Sequence, residues 1–174
     1  MSFNILKNSL KKGKVTRELD LTGAALPPEI EKMGEELKKT IHAKFGRSFH
    51  IREVDTGSCG ACESEIIACS NPLYDIQRFG IDFVASPRHA DALLVTGPVS
   101  KNMELALKKT YEAMPEPKFV ITLGECAKDG GLFKDSYYTC AGVECVLPVI
   151  LHIPGCPPSP VTIIKSLLLF LNNS

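Results

Sequence analysis

From Phe49 onward, short apolar runs alternate with longer amphipathic or glycine-marked segments. Phe49–Val54, Ile81–Ala85, Ala92–Thr96, Phe119–Leu123 and Val146–Ile153 read as strands, compact and rich in β-branched and apolar residues. Pro148 inside the last run suggests an edge strand or a bulge, because proline has no N–H for a ladder. Between the runs, Ala61–Cys69 reads as a helix start, Asp75–Phe79 as a second short turn, and Asn102–Ala113 as a helix that stops before Pro115. Val161–Leu171 follows Pro160 as a further helix. Short apolar strands alternating with helices predict a parallel sheet covered on both faces. The expected fold class is α/β, a flavodoxin-like doubly wound domain.

The first 47 residues are patterned differently. Lys7, Lys11, Lys12, Lys14 and Arg17 make a basic opening, and Leu21–Leu26 with Pro27 and Pro28 reads as an extended linker. Pro28–Lys44 then reads as an amphipathic helix with Ile30, Met33, Leu37 and Ile41 on one stripe. The expected organisation is an N-terminal arm and helix over residues 1–47, suited to docking a partner or simply to packing, followed by the sheet domain over 48–174.

Composition narrows the class. At 174 residues the chain has the size of one domain, and 44% hydrophobic with 23% charged residues is ordinary for a globular protein. Formal net charge is zero, which gives the molecule as a whole no electrostatic reason to bind nucleic acid. No signal peptide is legible, and the longest apolar stretches, Val146–Ile153 and Val161–Leu171, are too short to span a bilayer. A cytoplasmic location follows as the expectation, with any membrane attachment made through partners.

Seven cysteines is a high and odd count for such a chain, and disulfide staples do not suit that setting. Four of them fall in loops that follow predicted strands. Cys59 and Cys62 lie in Asp55-Thr56-Gly57-Ser58-Cys59-Gly60-Ala61-Cys62-Glu63, Cys126 in Gly124-Glu125-Cys126, and Cys156 in Pro154-Gly155-Cys156-Pro157-Pro158. In an open parallel sheet the carboxyl ends of the strands line the ligand crevice, so four thiols from three loops would converge there. Four thiolates suit a tetrahedral zinc or an iron–sulfur cluster. Glycines beside each cysteine let backbone approach closely, which favours the cluster, whereas structural zinc more often takes two compact Cys-x-x-Cys knuckles. On the residues alone, cluster, zinc and no metal all stay open. A thioredoxin-type reading of Cys59-x-x-Cys62 would leave Cys126 and Cys156 without a role.

The ordered motifs resemble a known family. Asp55–Glu63, Asn71-Pro72-Leu73-Tyr74-Asp75, Arg78-Phe79-Gly80-Ile81, Ser86–Asp91, Thr96-Gly97-Pro98, Gly124-x-Cys126 with Gly130-Gly131, and Ile153–Pro158 are similar to the small subunits of energy-converting nickel–iron hydrogenases, including those of formate hydrogenlyase. The small cluster subunit of respiratory complex I is the wider relative. The resemblance covers roughly Ser48–Leu171.

It implies one 4Fe–4S cluster on Cys59, Cys62, Cys126 and Cys156, acting as an electron relay without catalytic residues of its own. It also implies a hydrogenase-type large subunit beside the cluster, a ferredoxin-like subunit on the electron-entry side, and integral membrane subunits. The chain would then sit peripherally on the inner face of the cell membrane. Complex I subunits carry adjacent cysteines where this chain has Cys59-Gly60-Ala61-Cys62, which favours the hydrogenase branch over a quinone-reducing one. A zinc-stapled interaction module is the alternative from a different class.

Around the thiols, Gly57, Gly155, Glu63, Arg88 and His89 are candidate neighbours. Glu63 would tune potential or assist proton movement, although an acid in a first helical turn also simply favours the helix dipole. Arg88 and His89, expected at the same edge of the sheet, could meet a partner carboxylate or stay solvated. His42, His50 and His152 read as structural, and Cys69, Cys140 and Cys145 as cysteines outside the ligand pattern.

Overall fold

The computed structural model describes residues 28–173. The basic opening and the Leu21–Leu26 linker lie outside the described residues. The elements run α1 (Pro28–Phe45), β1 (Phe49–Asp55), α2 (Ala61–Cys69), β2 (Ile81–Phe83), β3 (Ala92–Thr96), α3 (Lys101–Glu112), β4 (Phe119–Leu123), α4 (Glu125–Asp129), β5 (Leu151–Ile153) and α5 (Pro160–Asn173). The five strands form one sheet in the order β2-β1-β3-β4-β5, every pair parallel. The flavodoxin-like α/β class is what the structure has, and the strand order reverses between β1 and β3, the place where such sheets open a crevice.

Alternation along β3 shows how the layers are built. Ala92 and Leu94 face one core cluster with Phe49, Ile51, Ile121 and residues of α1, α2 and α5. Leu93 and Val95 face the other, with Val120, Leu107 of α3 and Ala127 of α4. All five β3 residues are buried, as expected for a central strand covered on both sides. The α1 stripe seals against the first cluster through Ile30, Gly34, Leu37 and Ile41, with Met33 half-buried beside them. Gly34 lies against the ring of Phe79, which is fully buried and whose ring is stacked under the Arg78 guanidinium at 4.6 Å.

Two strands are shorter than their apolar runs. The ladder of β5 covers only Leu151–Ile153, because the N–H groups of Val146 and Leu147 donate to the Val143 carbonyl in a turn, and Pro148 has no N–H to offer. The ladder of β2 stops at Phe83, after which only the Val84 N–H still reaches β1, at Ile51 O. Phe83 and Ala92 both stand level with Ile51, so residues 84–91 must leave the sheet and return. The return is pinned at Asp91, whose carboxylate accepts from both terminal nitrogens of Arg47 (2.8 and 2.7 Å) and from the His50 N–H (2.9 Å).

Candidate metal centre

Because every strand is parallel, the carboxyl ends of β1, β4 and β5 open on one edge, and the loops after them carry Cys59 and Cys62, Cys126, and Cys156. β3 separates β1 from β4, so the Cys59 loop must cross the end of β3 to reach the others. Two devices allow this. Thr56, fully buried, donates its hydroxyl to Thr96 O (2.6 Å) and accepts the Val99 N–H (3.2 Å), bolting the β1 loop to the β3 loop. Gly97 then gives the loop room, since a Cβ there would stand 2.6 Å from the Ser58 nitrogen. Asp55 shapes the turn itself, its carboxylate accepting the N–H groups of Gly57 (2.8 Å) and Ser58 (2.7 Å). The sequence placed Asp55, Thr56 and Gly97 within the family-like motifs but gave them no role of their own.

The three loops meet beside Cys62. A Cβ at Gly124 would lie 2.8 Å from Cys62 Sγ and 3.3 Å from Gly155 O, so the Cys62 thiol, the start of the Cys126 loop and the Cys156 loop are in contact. A Cβ at Gly131 would lie 3.2 Å from Cys126 Sγ. Burial pushes the Cys62 thiol up to about 12, helped by the negative charges of Glu63, Cys59, Cys126 and Cys156. Burial raises Cys126 as well, with Cys156 and Cys59 as its nearest charged neighbours. The Cys62 and Cys126 thiols, raised by burial, need an external positive charge to become thiolates together, and metal supplies it. The donor set therefore fits an iron–sulfur group. Among the described residues no three Cys, His, Asp or Glu side chains stand close enough to hold a single ion.

Gly124→Ala is expected to cost the site its integrity. Gly124 holds φ +86, which side chains rarely adopt, and the added methyl would displace the Cys62 sulfur. Metal content of the purified variant should fall well below that of the parent at unchanged far-UV circular dichroism.

The remaining candidates divide. Gly57 (φ +110) and Gly155 (φ +136) are backbone hinges of their loops. Glu63 lies on α2 at the mouth of a cleft of about 380 Å³ lined by Arg52, Glu53, Ile66 and Phe83, and both its carboxylate oxygens are buried without a hydrogen-bond partner. Burial, then the Glu63 charge, raises Glu53 across that cleft. Arg88 and His89 are not brought to this edge. They are exposed in the Pro87–His89 turn, and His89 O lies 3.0 Å from His50 Nδ1, near the amino ends of the strands. The reason is the return of residues 84–91 described above.

The other three cysteines stay apart. Cys69 is fully buried in the core and burial pushes its thiol up to about 12. The Cys140 thiol donates to Glu104 Oε2 at 3.6 Å, and Cys145 is exposed. One residue unremarked in the sequence stands out here: Glu125, immediately before Cys126, whose Oε1 accepts the Gly155 N–H at 3.0 Å.

Residues 59–170 match the family described as NADH ubiquinone oxidoreductase, 20 Kd subunit. Formate hydrogenlyase subunit 7 of Escherichia coli is 40% identical over 141 residues, 81% of this chain and 55% of that protein. The chain thus spans little more than half the length of that relative. A probable membrane-bound hydrogenase subunit of Pyrococcus furiosus is 44% identical over 142 residues, covering 82% of this chain and 83% of its own. Among solved structures, a chain of the membrane-bound sulfane sulfur reductase, an archaeal respiratory membrane complex, superposes with TM-score 0.64 at 31% identity, over 80% of this chain and 77% of its own. With the family match running through all three cysteine loops, this chain belongs to the NADH ubiquinone oxidoreductase 20 Kd subunit family.

Proposed function

We propose that this chain is the small, electron-relaying subunit of a membrane-bound oxidoreductase complex of the hydrogenase type, holding one 4Fe–4S cluster on Cys59, Cys62, Cys126 and Cys156. The observation that carries the reading is the meeting of three cysteine loops at one sheet edge, with Gly124 pressed against Cys62 Sγ. When bound, such a cluster supplies reversible one-electron transfer. The chain's own residues do the rest. Thr56 and Asp55 fix the Cys59 loop, Gly124 and Gly131 keep side-chain bulk away from Cys62 and Cys126, and Cys62 itself is half-buried.

The surface around the site favours partners on either side. Cys59 and Cys156 are exposed, and the loop after Cys126 presents Leu132 (95% exposed), Phe133, Tyr137 and Tyr138 to solvent. Exposed aromatic and aliphatic side chains in one loop suit an obligate interface with a large subunit. A ferredoxin-like subunit would deliver electrons and integral membrane subunits would anchor the assembly. No helix among the described residues is long and apolar enough to cross a membrane. The place proposed for the chain is peripheral, on the cytoplasmic face, held through such subunits. The Cys-x-x-Cys spacing of Cys59 and Cys62 favours the hydrogenase branch over a quinone-reducing one.

Anaerobically purified protein should contain about four irons per chain and, after dithionite reduction, give the fast-relaxing paramagnetic resonance signal of a 4Fe–4S cluster. One zinc with no iron and no signal, even after reconstitution, would replace the relay by a structural metal module.

A further inference from the structure

We infer that Glu125 is a positioning residue for the donor set, its carboxylate clipping the Cys156 loop to the turn that carries Cys126. The inference deepens the relay reading and rests on it for the metal-loaded protein. Cys126 and Cys156 belong to loops from different strands, and three hydrogen bonds join them. The Gly124 N–H donates to Ile153 O (2.9 Å) and the Glu125 N–H to Gly155 O (3.1 Å). The Gly155 N–H donates back to Glu125 Oε1 (3.0 Å). The last two form a reciprocal pair between the residues that immediately precede each cysteine. Only the return bond depends on a side chain.

That bond has a task the backbone cannot perform. Gly155 holds φ +136 and a Cβ there would meet Pro158 Cα at 2.7 Å, so the loop bends where no side chain can pack to hold it. With its N–H unpaired, the bend would rest on the Gly155 carbonyl alone. Behind the carboxylate stands His152, with Nε2 3.9 Å from Glu125 Oε1 and Nδ1 3.0 Å from the Thr122 hydroxyl. Thr122 and His152 are register partners across β4 and β5, so the ring is fixed by the sheet and limits where Glu125 can swing. Thr122, His152, Glu125 and Gly155 thus form one line from the sheet to the Cys156 loop. Glu125 also brings a negative charge next to Cys126, and charge beside an anionic cluster favours its oxidised state.

The test uses the full-length chain, loaded anaerobically with iron and sulfide, as parent, Glu125→Gln and Glu125→Ala. Glutamine keeps an oxygen acceptor for the Gly155 N–H and loses the charge, while alanine loses both. Iron release to a ferrous chelator should be about ten-fold faster in Glu125→Ala, from the loss of one hydrogen bond to a charged acceptor. Glu125→Gln should release iron at close to the parental rate, with the parental resonance line shape and a more positive midpoint potential. Parental release from Glu125→Ala, or equal lability of both variants, overturns the clip.

Should the parent take up no iron, the relay reading fails, and the clip is decided on the metal-free chain by amide hydrogen exchange. The residue 155 amide should then exchange about ten-fold faster in Glu125→Ala than in Glu125→Gln. Equal exchange overturns the clip there too.

Discussion

Cys126→Ser and Cys156→Ser should each strip the protein of its iron, while Cys140→Ser should leave it loaded. Cys126 lies in the short helix α4 and Cys156 in a loop, each just beyond a strand, so their replacement removes a donor without touching the sheet. A serine hydroxyl is a far poorer iron ligand than a thiolate, and with one of four donors gone the group loses a corner. Cys140 is chemically the same residue, yet its thiol is turned to Glu104 and it packs beside the second core cluster. It is therefore the matched control for thiol loss as such. Iron and sulfide analysis with resonance spectra on the three variants decides the matter. Equal loss of iron in all three would mean that the donor set has been assigned wrongly.

The second large effect is one of stability and lies far from the thiols. Phe79→Ala should destabilise the fold by about 3–5 kcal/mol, the range for deleting a buried ring and leaving a cavity. Phe79 is fully buried in the turn between α2 and β2, in contact with α1 through Gly34. Since whole domains are stable by only about 5–15 kcal/mol, that single change should bring the protein near the edge of folding. Gly34→Ala probes the same contact from the other side. Alanine gains about 1 kcal/mol in helix propensity over glycine, and overpacking against the ring costs about 1–3 kcal/mol. In a Phe79→Leu background the ring is gone and the alanine has room, so Gly34→Ala should switch from harmful to neutral or helpful. Thermal melts of the two singles and the double measure this coupling, and strict additivity would show that α1 does not lean on Phe79.

These residues also mark what the sequence made legible. The strand-and-helix rhythm, the strand content of 92–96 and 119–123, and the helix start at Ala61 could be read directly, because apolar runs and glycine punctuation coincide there with the real element limits. The α1 stripe was readable too, but its partner was not. Periodicity names a buried face without saying what covers it, and Gly34 joins that face only because Phe79 arrives from 45 residues on. Val146–Pro148 misled, since apolar content alone does not reveal that the Val146 and Leu147 N–H groups turn inward to Val143, while Ile150 already donates to Val120 of β4. Arg88 and His89 misled for a related reason. A loop following a strand was expected to stay at that strand's carboxyl edge, whereas residues 84–91 travel back along the sheet to Asp91. Glu125 was invisible because its role depends on an N–H donated from another strand's loop. The cysteines stood out because four thiols beside glycine have few other uses, while Thr56 and Gly97, though part of the motifs, carry no chemistry that reveals how they bolt one loop to another.

The spread of the thiols along the chain sets an order of events. Cys59 and Cys156 are brought to the same edge only after β1, β3, β4 and β5 have paired, and those pairings join segments distant in sequence. Contacts of that kind form late and slowly in folding. No length of the chain that stops short of Cys156 presents all four, and no local hairpin or helix pair presents more than Cys59 and Cys62 together. Anything that needs all four donors must therefore be delivered to a chain that has already folded, so that assembly of the sheet acts as the checkpoint before loading.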